Sequence, residues 1–219
     1  MEQVLLFLSA LRENNSRVWF DKNRKWYDES RDKMLFVTEV LINEVRKFDP
    51  EIPVMDPKDC LFRIFRDVRF SGDKRPYKTN MGSFIARGGR KSPGAGYYFH
   101  VEPGECFAGG GIYMPEAEPL RAIRQHIFEN PGQYRDIVFD AEFKRLFPDV
   151  YGNKLKTAPK GFPKDFEYIN LLKNTSYAFG AKIDDGIVAG EDYFEKILEI
   201  FRKISKINLF LNEALRKNF

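Results

Sequence analysis

Three side chains that could exchange a proton occupy alternate positions near the middle of the chain: Tyr98, His100 and Glu102. Successive side chains of a β-strand point to opposite faces, so a strand over Tyr97–Glu102 would place these three on one face. Histidine titrates near neutral pH and, between a phenol and a carboxylate, it is suited to general acid–base catalysis. A half-exposed strand face has the same pattern without any catalysis, and no nucleophile completes the set. The three residues are catalytic candidates, and the sequence identifies no reaction.

A strongly basic segment precedes them. The segment from Cys60 to Lys91 contains nine of the chain's 36 Lys and Arg residues but only two of its 32 acidic residues, Asp67 and Asp73. The formal net charge of the whole chain is only +4. The basic character of the protein therefore comes from this one segment, and any anion-binding function is expected there.

The residues from Ser71 to Asn80 combine turn formers, hydroxyl groups and three cations. Such a loop can bind phosphate or carboxylate through its side chains and its backbone N–H groups. It is not a Walker loop, and Gly109–Gly111 does not fit the dinucleotide fingerprint. A solvated basic hairpin is the alternative, and Arg87, Arg90 and Lys91 are interpreted in that way. The candidate ligand-binding residues are Arg63, Arg66, Arg69, Lys74 and Lys78.

Arg66 needs a partner if the segment from Phe62 to Phe70 is a strand, as its alternation predicts. The period of two then places Arg66 on the apolar face, while Arg63 and Arg69 share the other face with Asp67. A buried guanidinium without a partner is costly, so Arg66 must meet a carboxylate, carbonyl groups or a bound anion. Glu102 is a candidate partner if the two strands are neighbours.

The remaining pattern predicts the elements that hold these residues. Apolar spacing indicates two N-terminal helices, the second ending near Phe48, and helices return from Glu116 onward. Between them, turn residues separate short strands, which favours an antiparallel meander. The expected fold is therefore a single α+β domain over residues 1–219, with a central, mainly antiparallel sheet flanked by N-terminal and C-terminal helices. The other predicted elements are strands at Ile112–Met114 and Thr175–Ile183, and helices at Pro131, Glu142–Phe147, Phe166–Lys173 and from Glu191 to the terminus.

Composition excludes several classes of protein. With 43% hydrophobic residues the chain can build a core without disulfides, and two cysteines without a CxxC pair favour a reducing compartment. The apolar N-terminus resembles an amphipathic helix rather than a signal peptide, and no run is long enough to span a membrane. We therefore expect a soluble, cytoplasmic protein that does not bind membranes. Two histidines and two cysteines without ligand spacing predict no metal site.

Several stretches of the chain resemble one protein family. They are FLSALRENNSRVWFDKNRKWY, FRIFRDVRFSGDKRPYKTN, GYYFHVEPGECFAGGGIYMP, LRAIRQHI, and APKGFPKD followed by LLK. Together they resemble the bacterial and fungal family called domain of unknown function 2461, over Leu6 to about Lys173. The resemblance implies a stand-alone, single-domain α+β protein and carries over no catalytic residues. Where the family's pattern has an acid before the paired leucines, this chain has Asn170.

Three hypotheses on function remain open at this point. The best supported is a pocket for a small anionic ligand bearing phosphate or carboxylate, with His100 and Glu102 close enough to act on it. The second is a nucleic-acid-binding module in which Tyr77 stacks on bases, which the acidic remainder of the chain disfavours. The third is a structural or interaction protein whose cations are all paired internally. The residues specify no cofactor and no oligomeric state, and they leave enzymatic activity undecided.

Overall fold

The N-terminal helices form where apolar residues recur at helical spacing, and the computed structural model, which describes residues 1–216, gives their bounds. The first helix, α1 (Glu2–Glu13), buries its apolar stripe. The predicted long second helix is two helices, α2 (Arg17–Lys22) and α3 (Arg24–Val45). They are separated at Asn23, whose side chain donates to the Trp19 carbonyl (2.9 Å) and so competes with helical hydrogen bonding.

The segment that follows corrects a prediction, because Phe62–Phe70 forms no strand of the sheet. After the short helix α4 (Pro57–Cys60), this segment makes only isolated bridges, Leu61 to Ser83 and Phe65 to Tyr77. The carboxylates of Asp67 and Asp73 accept the amide protons two residues further on, at 3.3 and 3.0 Å. These local turns divert backbone groups that a strand would pair with a neighbour, so the alternating sequence becomes an irregular loop.

The sheet has four antiparallel strands in chain order, as the meander prediction requires. Its second and fourth strands confirm the strands predicted at Tyr97–Glu102 and Thr175–Ile183. The first strand was not predicted. The strand predicted at Ile112–Met114 overlaps the third strand only at Ile112, because that strand runs from Phe107 to Ile112 through a run of glycines that weakens a strand pattern. The strands are β1 (Met81–Ile85), β2 (Gly96–Val101), β3 (Phe107–Ile112) and β4 (Tyr177–Lys182).

The C-terminal helices match most of the predicted ones. The predicted helices from Glu116 onward are all formed, whereas α9 was not predicted. The predicted last helix reached the terminus, but residues 217–219 lie outside the described part of the chain. None of the helices in residues 1–216 is long and apolar enough to cross a membrane. The helices are α5 (Ala117–Glu129), α6 (Pro131–Val138), α7 (Ala141–Leu146), α8 (Ile169–Leu172), α9 (Asp185–Ala189) and α10 (Tyr193–Arg216).

One face of the sheet is covered by α10, and this contact organises the core. A Cβ added at Gly110 would lie 2.5 Å from Ile204 Cγ2, so glycine allows the helix to approach β3 closely. Asn208 of α10 donates to the Gly96 carbonyl (2.9 Å), and the buried Tyr97 hydroxyl donates to Asp49 (2.8 Å). The predicted α+β domain, with an antiparallel sheet between N-terminal and C-terminal helices, is confirmed.

Candidate functional site

The sheet face opposite α10 is open because many of its side chains are small. By the register of the strands, the following residues share this face: Gly82, Phe84, Gly96, Tyr98, His100, Phe107, Gly109, Gly111, Ala178, Gly180 and Lys182. Above it lies a cleft with a volume of about 900 Å³. The size is typical of a small-molecule site.

Tyr98, His100 and Glu102 form a chain of hydrogen bonds on this face, as their alternation predicts. The Tyr98 hydroxyl lies 2.9 Å from His100 Nδ1, and His100 Nε2 lies 3.1 Å from Glu102 Oε2. A carboxylate only accepts, so Nε2 carries the proton and Nδ1 accepts from the Tyr98 hydroxyl. Thr79 donates to the other oxygen of Glu102 (2.9 Å). Each member of this relay, Tyr98–His100–Glu102, is thereby oriented by the next.

Aromatic packing and one glycine hold the relay in place. The imidazole of His100 stacks on Phe107, with ring centres 4.7 Å apart, and Tyr98 meets the Phe62 ring edge-on at 6.1 Å. The Tyr98 ring lies over Gly82 of the neighbouring strand, where an added Cβ would be 2.8 Å from Tyr98 Cζ. The glycine therefore provides the space in which the Tyr98 hydroxyl reaches His100.

Burial sets the protonation states of the relay. It lowers the pKa of His100, although the hydrogen bond and charge of Glu102 oppose this effect. Burial, followed by the charge of Glu102, raises the pKa of Tyr98 to about 12. At neutral pH the relay therefore contains a neutral imidazole, able to accept a proton, and a neutral phenol, able to donate one.

Lys78 brings positive charge to the same cleft. Asn15 fixes the backbone just before it, because its side-chain amide accepts from the Tyr77 N–H (3.1 Å) and donates to the Tyr77 carbonyl (3.0 Å). The Lys78 ammonium lies 5.8 Å from the centre of the Phe62 ring, and it forms no ion pair within residues 1–216. Burial, with a smaller effect of Arg63, lowers the pKa of Lys78. Lys78 is thus a partly buried cation that lines the cleft and has no ion-pair partner among residues 1–216.

Three other predicted binding residues lie outside the cleft and are paired locally. Arg66 contacts Asp73 (2.6 Å) rather than Glu102, which corrects the partner considered from the sequence. Its side chain is 24% exposed, because it lies on the irregular loop and not on a buried strand face. The other local contacts are Arg69 to Asp67 at 2.7 Å and Lys74 to the Val68 carbonyl at 3.1 Å.

The positions of Tyr77 and Arg63 bear on the hypotheses of nucleic-acid binding and of internally paired cations. Tyr77 is buried and stacks on Phe20, with ring centres 4.0 Å apart, so it is not available to stack on bases. Arg63 is exposed and lines a separate groove beside the cleft. Local pairing of the loop arginines agrees with the hypothesis of internally paired cations for those residues, but not for Lys78.

The other chemically reactive groups are not assembled into a site. Both cysteines, Cys60 and Cys106, are free and buried, and burial raises their pKa values to about 11 and about 12. Among residues 1–216 there is no group of three or more His, Cys, Asp and Glu side chains that could hold a metal ion. The relay and Lys78 therefore remain the candidate functional groups.

Comparison with known families agrees with the resemblance read from the motifs. The family model described as "Conserved hypothetical protein (DUF2461)" matches residues 3–210. The chain belongs to this family. Membership confirms the resemblance and assigns no residue a role. Searches of curated proteins and of solved structures gave no match to the chain.

Some cleft residues of this family member were missed from the sequence. Arg90 and Lys91, interpreted as parts of a solvated hairpin, line the cleft, and the Arg90 guanidinium donates to the Lys58 carbonyl (2.7 Å). Tyr113 and Met114 form part of its apolar wall. The available signal was the recurrence of glycines at alternate positions of neighbouring strands, which indicates an uncovered sheet face.

Proposed function

We propose that the cleft binds a small ligand that joins an anionic group, phosphate or carboxylate, to an apolar portion. The observation that carries the proposal is the position of Lys78, a partly buried cation without an ion pair in residues 1–216, on the same cleft as the Tyr98–His100–Glu102 relay. Partial burial of a charge is unfavourable unless an opposite charge or hydrogen bonds compensate for it. A bound anion would supply that compensation.

The opposite end of the cleft supports the apolar part of the ligand. Tyr113 and Met114 are adjacent in the chain, are 67% and 70% exposed, and both line the cleft. They are not loosely held, because the Met114 amide donates to the Ser176 hydroxyl (2.9 Å) and Met114 has a left-handed backbone conformation (φ 46°). Such a conformation is costly for a residue other than glycine. A ring or acyl group lying against Tyr113 and Met114 would remove their apolar surface from water.

The relay defines what could happen to the ligand after binding. When the Tyr98 oxygen takes a proton from a ligand group, Tyr98 can pass its own proton to the neutral imidazole, and the reverse transfers restore both the ligand and the relay. Glu102 stabilises the imidazolium that this transfer creates. The relay therefore supports acid–base chemistry on the bound ligand, beyond simple retention.

Phenyl phosphate, which joins a dianionic group to an apolar ring, is a direct probe of the proposal. We expect calorimetry to detect its binding, and we expect orthophosphate to bind more weakly because it lacks the ring. Lys78→Gln should weaken binding about tenfold, the usual effect of losing one charge-assisted hydrogen bond. Lys206→Gln removes the same charge from an exposed position on α10 and should have no effect.

Two results would contradict the proposal. One is the absence of binding by phenyl phosphate, benzoate and orthophosphate at millimolar concentration. The other is an equal loss of affinity in the Lys78 and Lys206 variants, which would mean that the protein attracts anions only through its net charge.

A further inference from the structure

A second concave surface adjoins the cleft. This basic groove, with a volume of about 420 Å³, lies between α3 and the irregular segment that begins at Leu61. Phe62 and Arg90 line both the groove and the cleft. The two spaces therefore meet at these side chains, and one ligand could occupy both.

The groove is richer in positive charge than the cleft. Five of its ten lining residues are Arg or Lys, and one is acidic. The acidic residue, Asp28, is paired with Arg24 (3.1 Å). Arg31 and Arg63 form no ion pair within residues 1–216, and each lies on the groove wall. The groove cations are Arg24, Arg31, Lys58, Arg63 and Arg90.

The fold concentrates these cations from distant parts of the chain. Arg24 and Arg31 are seven residues apart on α3, two helical turns, so their side chains share one face. Arg63 lies on the segment that is fixed by the Leu61–Ser83 bridge, and Arg90 is held over this region by its bond to the Lys58 carbonyl. Arg69 and Arg75 each pair with an acid two residues earlier, whereas Arg63 has no acid at that spacing. Glu29, two residues before Arg31, lies 3.8 Å from Lys25 instead. Arg31 and Arg63, which have no ion pair in residues 1–216, therefore bring unneutralised positive charge to one concave surface.

Building on the proposed function, we propose that the ligand carries a second anionic group, as a diphosphate or triphosphate does, and that this group binds in the basic groove while the first binds at Lys78. Arg90 lies at the junction and contacts both parts. An extended polyanion fits this arrangement better than a single phosphate, because the cations follow a path from the cleft into the groove.

Inorganic tripolyphosphate, orthophosphate and phenyl phosphate separate the two sites when their binding is measured at matched ionic strength with a metal chelator present. We expect wild-type protein to bind tripolyphosphate at least about tenfold more tightly than orthophosphate. Arg63→Gln and Arg31→Gln should each weaken tripolyphosphate binding about tenfold and change phenyl phosphate binding by less than about twofold. Arg202→Gln, at an exposed position on α10, is the matched control and should change neither.

The outcomes distinguish this inference from the proposed function. If tripolyphosphate binds no more tightly than orthophosphate, or if the groove variants weaken all three probes equally, the second anionic site is wrong while the cleft proposal stands. A loss of tripolyphosphate binding in Arg202→Gln as large as in Arg63→Gln would also overturn it. If none of the three probes binds, both proposals fail.

Discussion

The basic loop (residues 66–75) and the wall of the cleft differ in how they use positive charge. In the loop, Asp67 pairs with Arg69, and Asp73 pairs with both Arg66 and Arg75. In the cleft, Lys78 has no such partner within the described chain. For Arg69 and Arg75 the difference lies in sequence spacing, because an acid two residues earlier in the loop closes a local turn and pairs with the guanidinium. Arg66 instead reaches Asp73, seven residues later. A count of basic residues therefore locates a charged segment, but not the cation that is free to bind.

The largest expected difference in stability between the two regions comes from substituting a glycine in each. A methyl group at Gly82 would meet the Tyr98 ring, whereas one at Gly72 in the basic loop would meet nothing within 4 Å. We expect Gly82→Ala to lower the free energy of unfolding by about 1–3 kcal/mol, as overpacking does. Gly72→Ala should change it by less than about 0.5 kcal/mol. Urea denaturation measures both, and equal effects would show that Gly82 is not required by the position of Tyr98.

The tyrosine hydroxyls should give the next largest contrast. Tyr98→Phe leaves His100 Nδ1 without its donor, so the free energy of unfolding should fall by about 0.5–1.5 kcal/mol. Within residues 1–216 the Tyr77 hydroxyl forms no hydrogen bond, and Tyr77→Phe keeps the stacking on Phe20. We expect a clearly smaller change for Tyr77→Phe. If the two variants are equally stable, the Tyr98–His100 contact makes no net contribution to stability.

The outline of this fold could be predicted because long helices and two strands leave strong periodic patterns. The apolar face of β2 and the polar row of Tyr98, His100 and Glu102 follow directly from the period of two. The prediction of a strand at Phe62–Phe70 was wrong, because periodicity does not show which backbone groups are taken by local side-chain hydrogen bonds. Its alternation is real, but the aspartates form local turns that compete with strand pairing.

The candidate site was only partly predictable for a different reason. Which cation remains unpaired depends on contacts between distant segments, such as Asn15 with the Tyr77 backbone and Thr79 with Glu102. Arg90 and Lys91 are placed beside the cleft by a turn at Gly89–Lys91, and nothing in their own spacing indicates this. The sequence indicated the chemistry of the relay, whereas only the tertiary structure shows that Lys78, Arg90 and Lys91 line the cleft and that Arg63 lines the groove.

Loss of an ion pair in the basic loop should lower the stability of the fold by less than Gly82→Ala or Tyr98→Phe. Arg66→Ala should lower the Tm by only about 1–2 °C at low salt, since partly exposed ion pairs are weak. Asp73→Asn should have a larger effect because Asp73 accepts from both Arg66 and Arg75. Most of the difference should disappear in 1 M NaCl. Neither variant should change phenyl phosphate binding, and a loss of binding would assign the loop a role in the site.

The smallest expected effect on stability comes from the protonation of His100. Because burial lowers the pKa of His100 below its ordinary value of 6.5, the unfolded chain binds this proton more readily. The contribution of the neutral imidazole to stability is therefore present above about pH 6.5 and is lost as the pH falls through the pKa of the folded state. Nitrogen-15 NMR titration, with His100→Gln to assign the signal, measures this pKa directly.

The two charged neighbours of His100 should then move its pKa in opposite directions. Glu102→Gln should lower the pKa further, because the carboxylate stabilises the imidazolium through its hydrogen bond and its charge. Lys78→Gln should raise the pKa, because the ammonium repels the imidazolium. Lys74→Gln, in the basic loop, should leave it unchanged. A shift in the same direction for Glu102→Gln and Lys78→Gln would contradict the arrangement of Lys78 and the relay around one cleft. Opposite shifts would show that the charge of the cleft wall reaches the imidazole.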